Sequence, residues 1–111
     1  MKNTIKTIPH VTQDLKELGS FLRIARKRRR LTMTEVADRL NLSYQTVTRI
    51  EKGDPSVSGG GYFSALWLYG LDGAALSGVH PDNDKQGKAL EVSRLPTRVG
   101  AKRLTKDKHD F

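Results

Sequence analysis

The sequence predicts an all-α fold, and three features of its 111 residues carry that expectation. Apolar residues recur at three- and four-residue spacing, the period of a helix face. Ser and Thr stand just ahead of several such runs, where a hydroxyl satisfies the orphan N–H groups of a first helical turn. No convincing strand alternation is present, although Glu91–Val99 could pair as a short strand in a dimer.

A first helix is expected from about Leu15 to Arg28, because Leu18, Phe21, Leu22 and Ala25 fall on one face. Thr32 opens a second. Glu35 follows three residues later, the capping-box spacing in which each side chain serves the other's backbone donor. Val36, Ala37 and Leu40 then face inward. Ser43 caps a third helix with Val47 and Ile50 as its buried positions, and Gly53-Asp54-Pro55 stops it. Between the second and third, Asn41 occupies a turn position suited to positive φ, which Asn tolerates better than most residues.

Ser58 can cap a fourth helix through YFSALWLYG. Tyr62, Leu66 and Tyr69 line one face, and Phe63, Trp67 and Gly70 its neighbour. A helix apolar on most sides is expected to be covered on most sides. The second face is open to two readings, plain core or a dimer and partner surface. Gly59-Gly60-Gly61 suits a first helical turn poorly and is read as a flexible lead-in. Asp72 can cap a short helix over Gly73–Ser77, and another is expected from Asp82 to about Ser93, before Pro96.

Three segments follow: an N-terminal arm (1–14), a helical domain (15–78), and a C-terminal helix or partner segment ending in a basic tail (79–111). The arm is open to three readings: disorder, a strand completing a dimer, or an extension that touches DNA. The tail GAKRLTKDKHDF is expected to be mobile, its lysines adding either unspecific affinity or only solubility.

The chain carries 20 Lys and Arg against 12 Asp and Glu, a formal charge of +8. Such an excess favours a polyanion, since each cation placed at a phosphate releases condensed counterions. The stretch 15–60 holds ten basic and five acidic residues, whereas Asp72 is the only formal charge in 61–81. Absence of cysteine excludes disulfides, zinc ribbons and thiol chemistry. His10, His80 and His109 are scattered, so no metal site is expected, and no cofactor. No nucleophile–base set, carboxylate pair or phosphate loop stands out, so no catalytic residue is expected and an enzyme is not the reading. No apolar run approaches the roughly 18–20 residues of a membrane span, and the N-terminus lacks the apolar core of a signal peptide. A cytoplasmic location follows as the expectation.

The strongest local pattern is TMTEVADRLNLSYQTVTRIE, from Thr32 to Glu51. Two helices of about two turns joined by a tight turn expose the leading turn of the second, and a DNA major groove can admit it. The segment resembles the helix-turn-helix of Cro/C1-type (XRE) repressors, over about Leu18 to Leu71. The matching positions are Leu31-Thr32, Glu35, Ala37, Leu40, Ser43, Val47, Arg49-Ile50-Glu51 and Gly53. The resemblance implies a compact five-helix, lambda-repressor-like DNA-binding domain, here with a C-terminal extension, and a homodimer on a pseudo-palindromic operator. Two positions depart from the pattern. Met33 stands where the family often has Gln, removing a phosphate donor. Arg30 stands where a Gly commonly ends the first helix, at a cost of up to about 1 kcal/mol.

On this footing Tyr44, Gln45, Thr48 and Arg49 are expected to reach base edges. Gln45 can pair bidentately with adenine and Arg49 with guanine; Tyr44 suits a thymine methyl or a phosphate. Ser43, Thr46 and Lys52, with Thr34 on the second helix, are placed for backbone contacts that set register. By the resemblance, Arg26 meets Glu51 in a partly buried structural ion pair. The run Arg26-Lys27-Arg28-Arg29-Arg30 stays open between a solvated helix end favoured by the macrodipole, phosphate contact, and a nuclear-localisation signal.

Downstream, Gly53-Asp54-Pro55-Ser56-Val57-Ser58, Leu66-Trp67-Leu68-Tyr69-Gly70-Leu71, and Asp82 through Leu90 before Leu95-Pro96 resemble HipB-like antitoxins. That likeness implies an autorepressor whose partners are double-stranded operator DNA, a second copy, and a HipA-type kinase toxin or its associated subunits. A stand-alone phage- or host-type repressor and a protein-bridging transcriptional coactivator are the alternatives.

Overall fold

The computed structural model describes residues 8–95. They form six α-helices: α1 (Pro9–Arg28), α2 (Met33–Leu40), α3 (Tyr44–Lys52), α4 (Gly59–Leu68), α5 (Asp72–Gly78) and α6 (Lys85–Ser93), with a 3₁₀ turn at Pro81–Asn83. No strand occurs among the described residues. The chain divides into two units at Ala75/Leu76, inside α5.

In the first unit, α1 lies chiefly against α3, α2 against α3 and α4, and α3 also against α4. Leu22, Val36, Val47 and Ile50, from α1, α2 and α3, are only 1–2% exposed. Burial of each such side chain stabilises by about 1.5–3 kcal/mol. Tyr62, Ala65 and Leu66 of α4, with Tyr69 just past its end, close the core. The buried Tyr62 hydroxyl donates to the Asp54 carbonyl at 2.8 Å, fastening α4 to the loop that ends α3.

Several expected boundaries shift. α1 begins at Pro9, six residues before Leu15, so 9–14 are helical. The signal for that start is Pro9 itself, whose fixed φ and missing N–H suit the first helical position. Gly59-Gly60-Gly61 is the first turn of α4 and not a lead-in, capped by the Ser58 hydroxyl, which accepts from Gly61 N–H. Gly61 suits the place because a side chain there would collide with Val57, its Cβ coming 2.7 Å from Cγ1. α5 reaches Gly78, one residue past the expected end. The expected helix from Asp82 is a 3₁₀ turn followed by α6, which Asp84 caps through Gly87 N–H. Glu91, Val92 and Ser93 belong to α6, so the strand expected at Glu91–Val99 does not form over them.

Two faces expected to be covered are open. Phe21 on α1 is 61% exposed, while Gly19 is buried on the face turned to α3. On α4, Phe63 and Trp67 face outward, so this strongly apolar helix is covered on one side only. Residues 1–7 and 96–111 lie outside the described residues, and with them the basic tail, His109, Pro96 and the rest of the expected strand. No helix among the described residues is long and apolar enough to cross a membrane.

Candidate nucleic-acid interface

Local hydrogen bonds fix where α3 starts. Thr32 Oγ1 accepts from Glu35 N–H at 3.0 Å, and Thr32 N–H donates to the Glu35 carboxylate at 2.8 Å, completing the capping box of α2. These bonds hold the Glu35 carboxyl below its ordinary range. Asn41 ends α2 in the left-handed region (φ 55°), and Leu42 N–H reaches back to the Ala37 carbonyl at 2.9 Å. Ser43 then caps α3, its Oγ accepting from Thr46 N–H at 3.0 Å. Three residues, Asn41 to Ser43, connect α2 to α3, and the cap fixes where α3 starts.

The 3.6-residue period sorts α3 into an inner and an outer side. Val47 and Ile50 point into the core. Tyr44, Gln45, Arg49 and Lys52 are exposed on the opposite side, Tyr44 to 55%. The first turn of α3 carries no carboxylate, and its last turn carries Arg49 and Lys52. The leading turn also holds the positive end of the helix dipole. An open, uncharged helix start at the positive end of the dipole, with Arg49 and Lys52 farther along the same side, can accept an anionic, groove-shaped ligand.

The remaining site residues are placed less uniformly. Thr48 is half-buried, and its hydroxyl donates to the Tyr44 carbonyl at 3.1 Å, leaving a methyl group and an acceptor lone pair for an external contact. Thr46 lies on the flank of α3, its Oγ1 2.9 Å from Ser43 Oγ. Thr34 is exposed on a separate helix, α2, so it does not share the α3 face. Met33, at the start of α2, packs against the core.

A concavity of about 460 Å³ lies beside α3 and is lined by Thr46, Arg49, Ser56, Ser58 and Gly60 among others. Neither Ser56 nor Ser58 is among the site residues expected from the sequence, where Ser58 is a helix cap and both fall in the segment resembling HipB-like antitoxins. Ser56 N–H donates to the Asp54 carboxylate at 2.8 Å, which holds that carboxyl low.

The far end of α3 is anchored to α1. Arg26 Nε donates to Glu51 Oε2 at 2.7 Å and Nη2 to Oε1 at 3.2 Å, while Nη1 donates to the Leu31 carbonyl at 2.9 Å. Both side chains are about nine-tenths buried. The hydrogen bond to Glu51 is the main cause that raises the Arg26 pKa. Glu51 therefore fixes α3 and is not presented to a ligand. Arg29 donates to the Ala25 and Tyr69 carbonyls, both at 2.9 Å, and lies over the Tyr69 ring. Lys27, Arg28 and Arg30 are exposed and make no ion pair with the described residues. Among the described residues, no group of three or more His, Cys, Asp or Glu stands where it could hold a metal ion.

A family model described as a helix-turn-helix domain matches residues 17–77, more than half of the chain. No curated protein and no solved structure matches it.

Proposed function

Because the chain belongs to the helix-turn-helix domain family, we propose that it is a sequence-specific transcriptional repressor that binds a pseudo-palindromic operator as a homodimer. DNA binding is the property of the family. The observation that supports sequence reading in this chain is the open leading turn of α3, with Tyr44 and Gln45 exposed and no carboxylate among them.

In this reading Gln45 and Arg49 supply bidentate contacts to base edges, each discriminating by about 1–3 kcal/mol. Tyr44 meets a thymine methyl or a phosphate. Thr48, its proton already given to the helix backbone, adds a methyl contact. Ser43, Thr46, Lys52 and Thr34 contact phosphates and set register. Repression follows from occupying the operator and denying the promoter to polymerase.

The biological setting proposed is that of an autorepressing antitoxin in a bacterial cytoplasm, partnered by a HipA-type kinase. Its support is the resemblance of the segments at Gly53–Ser58, Leu66–Leu71 and Asp82–Leu90 to HipB-like antitoxins. Co-purification of a kinase encoded beside this gene would support that role. A neighbourhood without one would favour the stand-alone repressor.

Footprinting the DNA upstream of the chain's own gene tests the central reading. Protection of a two-fold symmetric site is expected. Arg49→Ala and Gln45→Ala should each reduce preference for that site over random DNA by about 5- to 150-fold. Lys52→Ala should weaken both sites alike and lower the salt slope by about one. Wild-type discrimination in both Arg49→Ala and Gln45→Ala would overturn it.

A further inference from the structure

The outer face of α1 carries a pattern that the core does not use. Glu17, Phe21, Ile24 and Arg28 follow one another at four-, three- and four-residue spacing, so they form a single stripe along the helix. Gly19, Leu22, Ala25 and Arg26 occupy the buried face. Phe21 is 61% exposed and Ile24 45%. Beside them lies a concavity of about 440 Å³ lined by Phe21, Ile24, Ala25, Arg28, Arg29 and Leu71. Glu17 and Arg28 are exposed, and neither makes an ion pair with the described residues.

The order of this stripe is self-complementary. Phe21 and Ile24 are equally distant from the point midway between Leu22 and Arg23, and so are Glu17 and Arg28. We infer that this face is a homodimer contact in which α1 pairs antiparallel with α1 of a second copy, about a twofold axis at that midpoint. Each Phe21 then covers Ile24 of the partner subunit, and each Glu17 faces Arg28 of the partner subunit. The twofold repeats both contacts, as an isologous interface requires. A long acidic peptide would satisfy Arg28 and Arg29 but would oppose Glu17. Nucleic acid would leave Phe21 and Ile24 uncovered. A second copy satisfies all four residues, and the paired charges offset part of the repulsion between two chains of net charge +8.

The inference concerns self-association of the free chain and does not rest on the operator reading, because the stripe lies on the side of α1 opposite Gly19 and Arg26, which meet α3. It is tested without DNA, by sedimentation equilibrium of the full chain over a concentration series. A reversible dimer is expected, with a dissociation constant on the order of micromolar for so small a contact. Glu17→Arg or Arg28→Glu alone should raise that constant by about tenfold or more, since each reversal acts twice across the axis. The two reversals together should bring it back to within about threefold of wild type, because every facing pair is again opposite in sign. Thermal melts of all four proteins check that the exposed substitutions leave the fold intact.

Three results would overturn the inference: a monomer up to about 0.5 mM, a dimer that the single reversals do not weaken, or a double reversal no tighter than the singles. A monomer that binds its operator would remove this interface and leave DNA reading in place. A dimer with the expected charge response but no operator preference would do the reverse.

Discussion

Gly19 and Ile50 meet with almost no space between their backbones. A Cβ built on Gly19 would lie 2.6 Å from the Ile50 carbonyl oxygen, and 2.7 Å from both the Glu51 carbonyl and the Gly53 nitrogen. α1 and the end of α3 therefore touch backbone to backbone, and this contact helps set the angle at which α3 leaves the core. Gly53 is equally constrained, for it has φ +72° and lies against the backbone of Leu15 and Lys16.

Gly19→Ala should destabilise the domain although alanine is the better helix former. Overpacking against rigid backbone costs about 1–3 kcal/mol, and the helix-propensity gain returns at most about 1 kcal/mol. Urea denaturation should show a lower midpoint with an unchanged slope. A higher midpoint would mean that α1 can withdraw from α3 without cost.

Glu51→Ala should be far more damaging than replacing the whole pair. The single change leaves the Arg26 guanidinium buried without its carboxylate, at a cost of about 3–5 kcal/mol. Arg26→Met combined with Glu51→Leu removes both charges and should recover most of that loss. Equal melting temperatures for Glu51→Ala and wild type would show that the pair does no structural work.

Arg30→Gly should stabilise the protein. Arg30 has φ 56°, a left-handed conformation that disfavours a side chain, and its guanidinium makes no ion pair with the described residues. Relief of that strain is worth about 1 kcal/mol, or several degrees in Tm for a domain of this size. A lower Tm would assign Arg30 a stabilising contact instead.

Alkaline stability should depend on Tyr62. Burial, aided by the Asp54 carboxylate, pushes its phenol up to about 12 from the ordinary 10.0. The unfolded chain thus releases this proton at lower pH than the folded one. The stabilisation is complete below pH 10 and is lost as the pH rises towards about 12. Tyr62→Phe should cost about 1 kcal/mol at neutral pH through the lost bond to the Asp54 carbonyl, which keeps Val57 N–H as a partner. It should also flatten the alkaline fall, though only in part, because burial raises the Tyr69 pKa as well. Denaturant melts of both proteins at pH 7 and above pH 10 measure the two effects.

Much of the site was legible from short-range chemistry. Thr32 with Glu35, Asn41, Ser43 and Gly53 each act on groups within five residues, so the bounds of α2 and α3 were written where they are read. Periodicity likewise put Val36, Val47 and Ile50 inside. It did not separate Thr46 and Thr48 from the more open Tyr44, Gln45 and Arg49, because which hydroxyls bind their own helix depends on rotamers and on neighbouring loops.

By itself, then, the sequence determined where α2 and α3 begin and end, since their caps and turns are satisfied by neighbours in the chain. The starts of α1 and α4 emerged only in the folded chain. The tertiary structure decided which faces those helices hide. Phe21 and Leu22 are adjacent and both apolar, yet one is open to solvent and the other is in the core. Gly19 has meaning only through Ile50 and Glu51, about thirty residues away. Such choices depend on the crossing of α1 over α3, a relation between distant segments that no local pattern encodes.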